Sequence, residues 1–209
     1  MAIVFEKSCG NKQLAVWEIT ESEEELLTHL QLTKETTAQL LRITHPKKRL
    51  EWLATRILLQ KLSGCYDKVS YTNNGKPFFK NNNSGFSISH TNGYAAVVVA
   101  ENQLVGIDIE HPSPRISKLA WWFINPKEEA YVNTSKPELY YALLWCAKET
   151  AYKVVDFPGL DFKKHIITQP FTPKVDEGTF NTHVLLDRKW TEYELNYFIT
   201  NEYYLVWHW

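Results

Sequence analysis

Apolar and polar positions along this chain follow a helical period in some stretches and a strand period in others, and helical stretches give way to strands twice. Gln13–Ile19 reads as a short strand. Ser22 followed by Glu25 is a capping-box pattern ahead of Leu26, Leu27 and Leu30, so a helix is predicted to start there. Pro46 suits a first helical turn, and Leu50, Leu53, Ile57, Leu58 and Leu62 keep a helical period until Gly64. From Lys68 the period shortens. Val69–Thr72, Phe86–Ser89, Tyr94–Ala100 and Leu104–Glu110 read as strands, separated by Asn73-Asn74-Gly75, Thr91-Asn92-Gly93 and Glu101-Asn102. Beyond the Pro112/Pro114 loop the chain turns helical again. Asn125-Pro126 opens a short helix, and Ser135 with Glu138 is predicted to cap a longer one reaching about Val154. From Phe162 strands return, over Ile166–Thr168, Phe180–Leu186, Glu194–Thr200 and Tyr203–Trp209.

This order suggests an α+β protein of two similar α/β halves, residues 1–104 and 105–209, working as a single functional unit. His90-Thr91-Asn92-Gly93-Tyr94-Ala95-Ala96-Val97 aligns over Ile199-Thr200-Asn201-Glu202-Tyr203-Tyr204-Leu205-Val206, with identities at Thr, Asn, Tyr and Val.

The 209 residues are 44% hydrophobic and 22% charged, which excludes a disordered tail, a collagen and a disulfide miniprotein. Lysine and arginine number 23 against 24 acidic residues, so the broad basic footprint of a general nucleic-acid binder is missing. Eight Trp, 11 Tyr and 10 Phe make a core easy to build without naming a ligand. Glu6, Lys7, Lys12 and Glu18 interrupt the N-terminus, so no secretory signal is read, and no apolar run approaches the ~20 residues that span a bilayer. Cys9, Cys65 and Cys146 are odd in number and lack paired metal-ligand spacing. A cytoplasmic chain that does not engage membranes is expected.

Several short segments carry candidate chemistry. In Gly106-Ile107-Asp108-Ile109-Glu110 the two isoleucines face one side of a strand and the two carboxylates the other. That face is either a polar outer surface or a site for a hard cation, since Mg²⁺ prefers carboxylate oxygens and keeps positions for phosphate. In Trp145-Cys146-Ala147-Lys148-Glu149-Thr150-Ala151-Tyr152-Lys153 the side chains of Glu149 and Lys153 share a helix face. They make either a surface ion pair or the rest of a metal-phosphate site. Ser87-Ile88-Ser89-His90 ends a strand; it suits phosphate hydrogen bonds, and without a G-x-S-x-G elbow it makes a poor nucleophile pair. Asn74-Gly75-Lys76-Pro77 reads as a turn. Lys47, Lys48, Arg49 and Arg56 crowd one helix and read as a solvated basic face.

In their order, these pieces resemble the 4′-phosphopantetheinyl transferase superfamily, most of all its Sfp-type branch. The resemblance rests on 48–56, 74–77, 86–90, 106–110 and 145–153, and the last two segments are the most specific. It implies a pseudo-dimeric fold with the active site in the cleft between the halves. The implied reaction moves the 4′-phosphopantetheine arm of coenzyme A to a serine of an acyl or peptidyl carrier protein, with release of adenosine 3′,5′-bisphosphate. The carriers served by such enzymes belong to fatty-acid, polyketide or nonribosomal-peptide synthesis. Asp108, Glu110 and Glu149 are implied to hold Mg²⁺, and Arg49, Lys76, Ser89, His90 and Lys153 to contact coenzyme A. Glu149, directly or through water, is the implied base, with Asp108 and Lys153 completing the catalytic set. Cys146 departs from the small polar residues common at its position. Two other readings stay open: a coenzyme A or carrier-protein binding module without turnover, and another Mg²⁺-dependent phosphate enzyme such as a hydrolase. Internal pseudo-symmetry would make a monomer sufficient.

Overall fold

A computed structural model describes residues 2–64, 69–72, 74–80 and 83–209. Cys65, Lys68 and Asn73, which figure in the sequence reading, lie outside the described residues. The chain runs β1 (Ala2–Cys9), β2 (Lys12–Glu18), α1 (Glu23–Thr28), α2 (Lys34–Leu41), α3 (Pro46–Ser63), β3 (Val69–Tyr71) and β4 (Pro77–Phe79). It continues through β5 (Ser84–Thr91), β6 (Tyr94–Glu101), β7 (Gly106–Glu110), α4 (Pro114–Phe123), α5 (Pro126–Glu129) and α6 (Pro137–Val155). The last elements are α7 (Phe162–His165), β8 (Ile166–Thr168), β9 (Glu177–Leu186), β10 (Lys189–Ile199) and β11 (Tyr204–His208).

One sheet has the order β1-β2-β6-β5, a second β7-β11-β10-β9-β8, and β3 pairs with β4 in a small hairpin. Alternation along β2 and β6 decides what packs where. Ala15, Trp17, Ala95, Val97 and Val99 face Leu53, Ala54, Ile57, Leu58 and Leu62 of α3. Leu14, Val16, Ala96, Val98 and Ala100 face inward, against Ile107, Ile109, Leu205 and Trp207 of the second sheet. Strands buried on both faces need a continuous apolar run, which is what Tyr94–Ala100 provides. On the far side of the second sheet, Leu143 and Ala147 of α6 cover Val206 and Leu195.

The fold is therefore α+β, with two halves of matching topology. The order β2-β6-β5 under α3 repeats as β7-β11-β10 under α6. The aligned turns occupy matching places too: Thr91 pairs with Tyr94, and Thr200 N–H bonds to the Tyr203 carbonyl at 2.9 Å. Tyr94 and Tyr203 meet each other with ring centroids 5.1 Å apart, as equivalent residues beside a two-fold axis do.

The Ser22/Glu25 capping box forms at α1. The Ser135/Glu138 box does not. Pro137 takes the first helical position, Lys136 is the N-cap without a side-chain bond, and the Ser135 hydroxyl donates to Asn133 instead. A proline lacks the N–H that a cap would satisfy and is preorganised for that place, so it sets the start. Sequence reading also missed β1, an edge strand with little burial, α2 with its Thr33 cap, and α7, a short helical turn that Asp161 caps just ahead of the expected strand Ile166–Thr168. No helix among the described residues is long and apolar enough to cross a membrane.

Candidate functional site

The two sheets approach each other edge to edge along β5 and β7, without a backbone ladder between them. Hydroxyls make the joint. Ser87, Ser89 and Thr91 alternate along β5, and their oxygens accept the N–H groups of Ile107 (3.2 Å), Ile109 (3.3 Å) and His111 (3.3 Å). Asp108 and Glu110 are thereby held at the seam, with α6 lying across it.

Gly106 allows that close crossing. A Cβ there would lie 2.5 Å from the Thr150 carbonyl oxygen and 2.7 Å from Val154 Cγ2. Trp145, Glu149 and Lys153 recur at four-residue steps on the face of α6 turned toward β7. Lys153 Nζ donates to Asp108 Oδ1 at 2.7 Å, to the Ile107 carbonyl at 3.0 Å and to Ser89 Oγ at 3.3 Å. The indole of Trp145 donates to Glu110 Oε1 at 3.1 Å. Glu149 sits between them, near both carboxylates and the ammonium. The surface ion pair between Glu149 and Lys153 is thus not what forms: the lysine goes to Asp108.

Asp108 is 5% exposed, and its second oxygen, Oδ2, is buried without a hydrogen-bond partner. Burial and the neighbouring Asp108 push the Glu149 carboxyl up to about 7, and the same two causes raise Glu110. Burial, Asp108 and Glu110 also push the thiol of Cys146 well up, which makes it inert. Crowded carboxylates with an orphaned oxygen among them call for a cation beyond Lys153. Among the described residues no three His, Cys, Asp or Glu side chains form a ready-made metal cage. Mg²⁺ does not require one, because it binds through one or two carboxylates and fills its shell with waters and substrate phosphates. The donor set fits that ion.

Two cavities flank the seam. One, of about 200 Å³, is lined by Lys76, Ser87, Glu149, Tyr152 and Lys153 among others. The other, of about 370 Å³, is lined by Thr91, Glu110, His111, Arg115, Phe123 and Trp145 among others. The β3–β4 turn closes over the end of α6, where Lys76 Nζ bonds to the Val154 carbonyl at 3.1 Å and Asn74 to that of Asp156 at 3.3 Å. Burial lowers the Lys76 pKa, with Asp156 offsetting part of the effect.

Asp108, Glu110, Glu149, Lys153, Ser89 and Lys76 are therefore gathered around α6 and β7. Two candidates lie elsewhere. His90 points to the opposite face of β5, where Nδ1 lies 3.0 Å from Glu51 Oε2 of α3, off the line of a hydrogen bond; Lys48 Nζ is 3.2 Å from the same oxygen. Burial would raise the Glu51 carboxyl, but His90 and Lys48 outweigh it and hold the group below its ordinary range. Arg49 grips Glu23 with two nitrogens and caps the carbonyls of Leu40 (2.8 Å) and Ile43 (3.2 Å). Lys47 and Lys48 are exposed, but Arg56 corrects the solvated-face reading. It is buried, stacked over Trp52 at 4.8 Å and bonded to the Tyr71 hydroxyl. Sequence reasoning gave no role to Trp145, although its place four residues before Glu149 put it on the site face, nor to Glu51.

Two family models match the chain. The model described as the 4′-phosphopantetheinyl transferase superfamily matches residues 104–203, and that of the 4′-phosphopantetheinyl transferase N-terminal domain matches 36–100. The chain belongs to the 4′-phosphopantetheinyl transferase superfamily. Individual relatives within it are distant. The chain is 31% identical over 101 residues to the 4′-phosphopantetheinyl transferase AcpT of Salmonella typhi, covering 47% of this chain and 53% of that protein. The AcpT of Salmonella typhimurium is 31% identical over 104 residues, with the same shares covered. A Haemophilus influenzae protein provisionally assigned the same activity is 30% identical over 123 residues, 54% of this chain and 52% of that protein. The chain thus spans about half the length of the curated relatives it matches.

Proposed function

We propose that this superfamily member is an Sfp-type holo-[acyl-carrier-protein] synthase, which transfers 4′-phosphopantetheine from coenzyme A to a serine of an apo acyl or peptidyl carrier protein. The buried, unpartnered Oδ2 of Asp108 beside the raised carboxyls of Glu110 and Glu149 carries the reading. Asp108, Glu110 and Glu149 would hold Mg²⁺, which when bound supplies positive charge to the pyrophosphate of coenzyme A. Residues 1–104 would contribute Arg49, Lys76, Ser89 and His90, and 105–209 the carboxylates and Lys153, in one cytoplasmic monomer.

Transfer is an in-line displacement at phosphorus, so positioning and charge neutralisation dominate. The serine oxygen of the carrier forms the new P–O bond, the bond to the departing adenosine 3′,5′-bisphosphate breaks, and the serine proton leaves to Glu149. Glu149 would take that proton directly or through a water, as the carboxylate of the site that shares a face of α6 with Lys153. Lys153 and Lys76, now on Asp108 and the Val154 carbonyl, lie beside the smaller cavity, where an ammonium can meet phosphate oxygens. Arg49 and His90 would serve coenzyme A phosphates by exchanging Glu23 and Glu51 for them.

Asp108→Ala and Glu149→Ala should each lower Mg²⁺-dependent labelling of an apo carrier protein by about 10³-fold with the fold intact by circular dichroism. Near-normal transfer by either variant would sink the metal-site assignment. Coenzyme A binding by the wild type without labelling of any carrier would favour a binding module.

A further inference from the structure

The three hydroxyls of the β5–β7 joint are not equivalent. Ser87 accepts a β7 N–H and Thr91 that of His111 just beyond β7, whereas Ser89 also donates to Asp108 Oδ1 at 2.9 Å. A serine hydroxyl has one proton and two lone pairs. Here the Ile109 N–H at 3.3 Å and the Lys153 ammonium at 3.3 Å meet the lone pairs, so the proton is committed to Asp108. The resemblance assigns Ser89 to a phosphate of coenzyme A, and that bond would need the same proton.

We propose that Ser89 is a positioning residue: its hydroxyl fixes the carboxylate plane of Asp108 so that Oδ1 faces Ser89 and Lys153 while Oδ2 is kept for the metal ion. The inference rests on the Mg²⁺ reading of the site. The final torsion of an aspartate is broad and roughly two-fold, so it does not choose between the oxygens by itself. Two donors converge on Oδ1, from β5 and from α6, and none reaches Oδ2. Without the Ser89 donor, the carboxylate is free to turn both oxygens toward the Lys153 ammonium and fill the position a metal would take. Loss of an outer-shell partner of this kind costs about 10–100-fold in metal affinity.

The test is Mn²⁺ binding to the full chain, read from the free-ion electron paramagnetic resonance signal in the presence of coenzyme A, with coenzyme A affinity measured separately in EDTA by calorimetry. Ser89→Ala should weaken Mn²⁺ by about tenfold or more while leaving metal-free coenzyme A affinity within about twofold. Ser87→Ala removes a matching N–H acceptor from the same joint and should leave Mn²⁺ affinity near wild type. Ser89→Thr, which keeps the hydroxyl, should restore it. If Ser89→Ala does not fold, Ser89→Cys, a far weaker donor, is compared with Ser89→Thr. Equal Mn²⁺ affinity in wild type and the donor-poor variant overturns the proposal, and a fall in metal-free coenzyme A affinity alone returns Ser89 to the phosphate. A wild type that binds no Mn²⁺ defeats the metal reading itself, before any serine variant is compared.

Discussion

Helices α3 and α6 occupy matching places on the two sheets, start alike with proline and end alike in a left-handed residue, Gly64 or Asp156. Their charges are handled differently. On α3, Arg49 meets Glu23, Glu51 meets His90 and Lys48, and Arg56 meets the neutral Tyr71 and Trp52, so these side chains find their partners within the first half. On α6, Lys153 and Trp145 reach across to the carboxylates of β7, and Glu149 is left among like charges. The carboxylates accordingly move in opposite directions, Glu51 down and Glu149 up. Matching scaffolds thus hold a carboxylate beside His90 and Lys48 on α3 and one left among like charges on α6. The second is where an added cation gains most.

The buried cations of the two helices give the largest contrast. Lys148 is fully buried, 2.8 Å from the equally buried Glu128 and bonded to the carbonyls of Phe162 and Ile166. Lys148→Met strands Glu128 and should cost about 3–5 kcal/mol by urea denaturation, and adding Glu128→Leu should recover only part of it, because that carboxylate also accepts the N–H groups of Thr168 and Asn125 at 2.8 Å. Arg56 has no carboxylate beside it among the described residues, and one of its nitrogens, Nη1, is unpartnered. Arg56→Met should therefore cost only about 1 kcal/mol, chiefly lost packing on Trp52. Equal costs at the two positions would break the contrast.

Stability against pH sharpens it further. Raised from its ordinary 4.5 to about 7, the Glu149 carboxyl contributes stability that is full below 4.5 and is lost as pH climbs through 7. Metal-free protein should lose up to about 3 kcal/mol from this group between pH 5 and pH 8, with Glu110 acting in the same direction. Glu51, being lowered, contributes the opposite way: its stabilisation is present above its ordinary pKa and disappears as pH falls. Mg²⁺ should raise the melting temperature at pH 8 and hardly at pH 5. A shift of the same size at both pH values would contradict the crowded-carboxylate picture.

A last effect concerns the crossing itself. Gly106→Ala places a methyl against the Thr150 carbonyl and should cost about 1–3 kcal/mol. Because α6 must then lift from β7, labelling activity should fall by more than the loss of folded protein explains.

What could be read from the sequence was local or periodic. The apolar run of β6, the helical period of α3, the Ser22/Glu25 cap and the shared face of Asp108 and Glu110 all follow from neighbours a few residues apart. What escaped was set by distant partners. Glu23 is 26 residues from Arg49, and nothing near Arg49 in the chain announces it. Lys148 looks like a surface residue beside Glu149 until α5 and α7, four residues each, cover it. Ser87 and Ser89 looked like ligands because hydroxyls at a strand end suit phosphate; their β7 partners lie 20 residues on. In the candidate site, residue types and order were legible, while pairings such as Trp145 with Glu110 and His90 with Glu51 needed the fold.

The central claim is that this cleft transfers a phosphopantetheine arm, and intact-mass spectrometry of an apo carrier protein incubated with the chain, coenzyme A and Mg²⁺ tests it most directly. The expected result is a carrier heavier by one phosphopantetheine group, with no gain when Mg²⁺ is chelated. An unchanged mass across acyl and peptidyl carriers, under conditions where the chain is folded and binds coenzyme A, would contradict it.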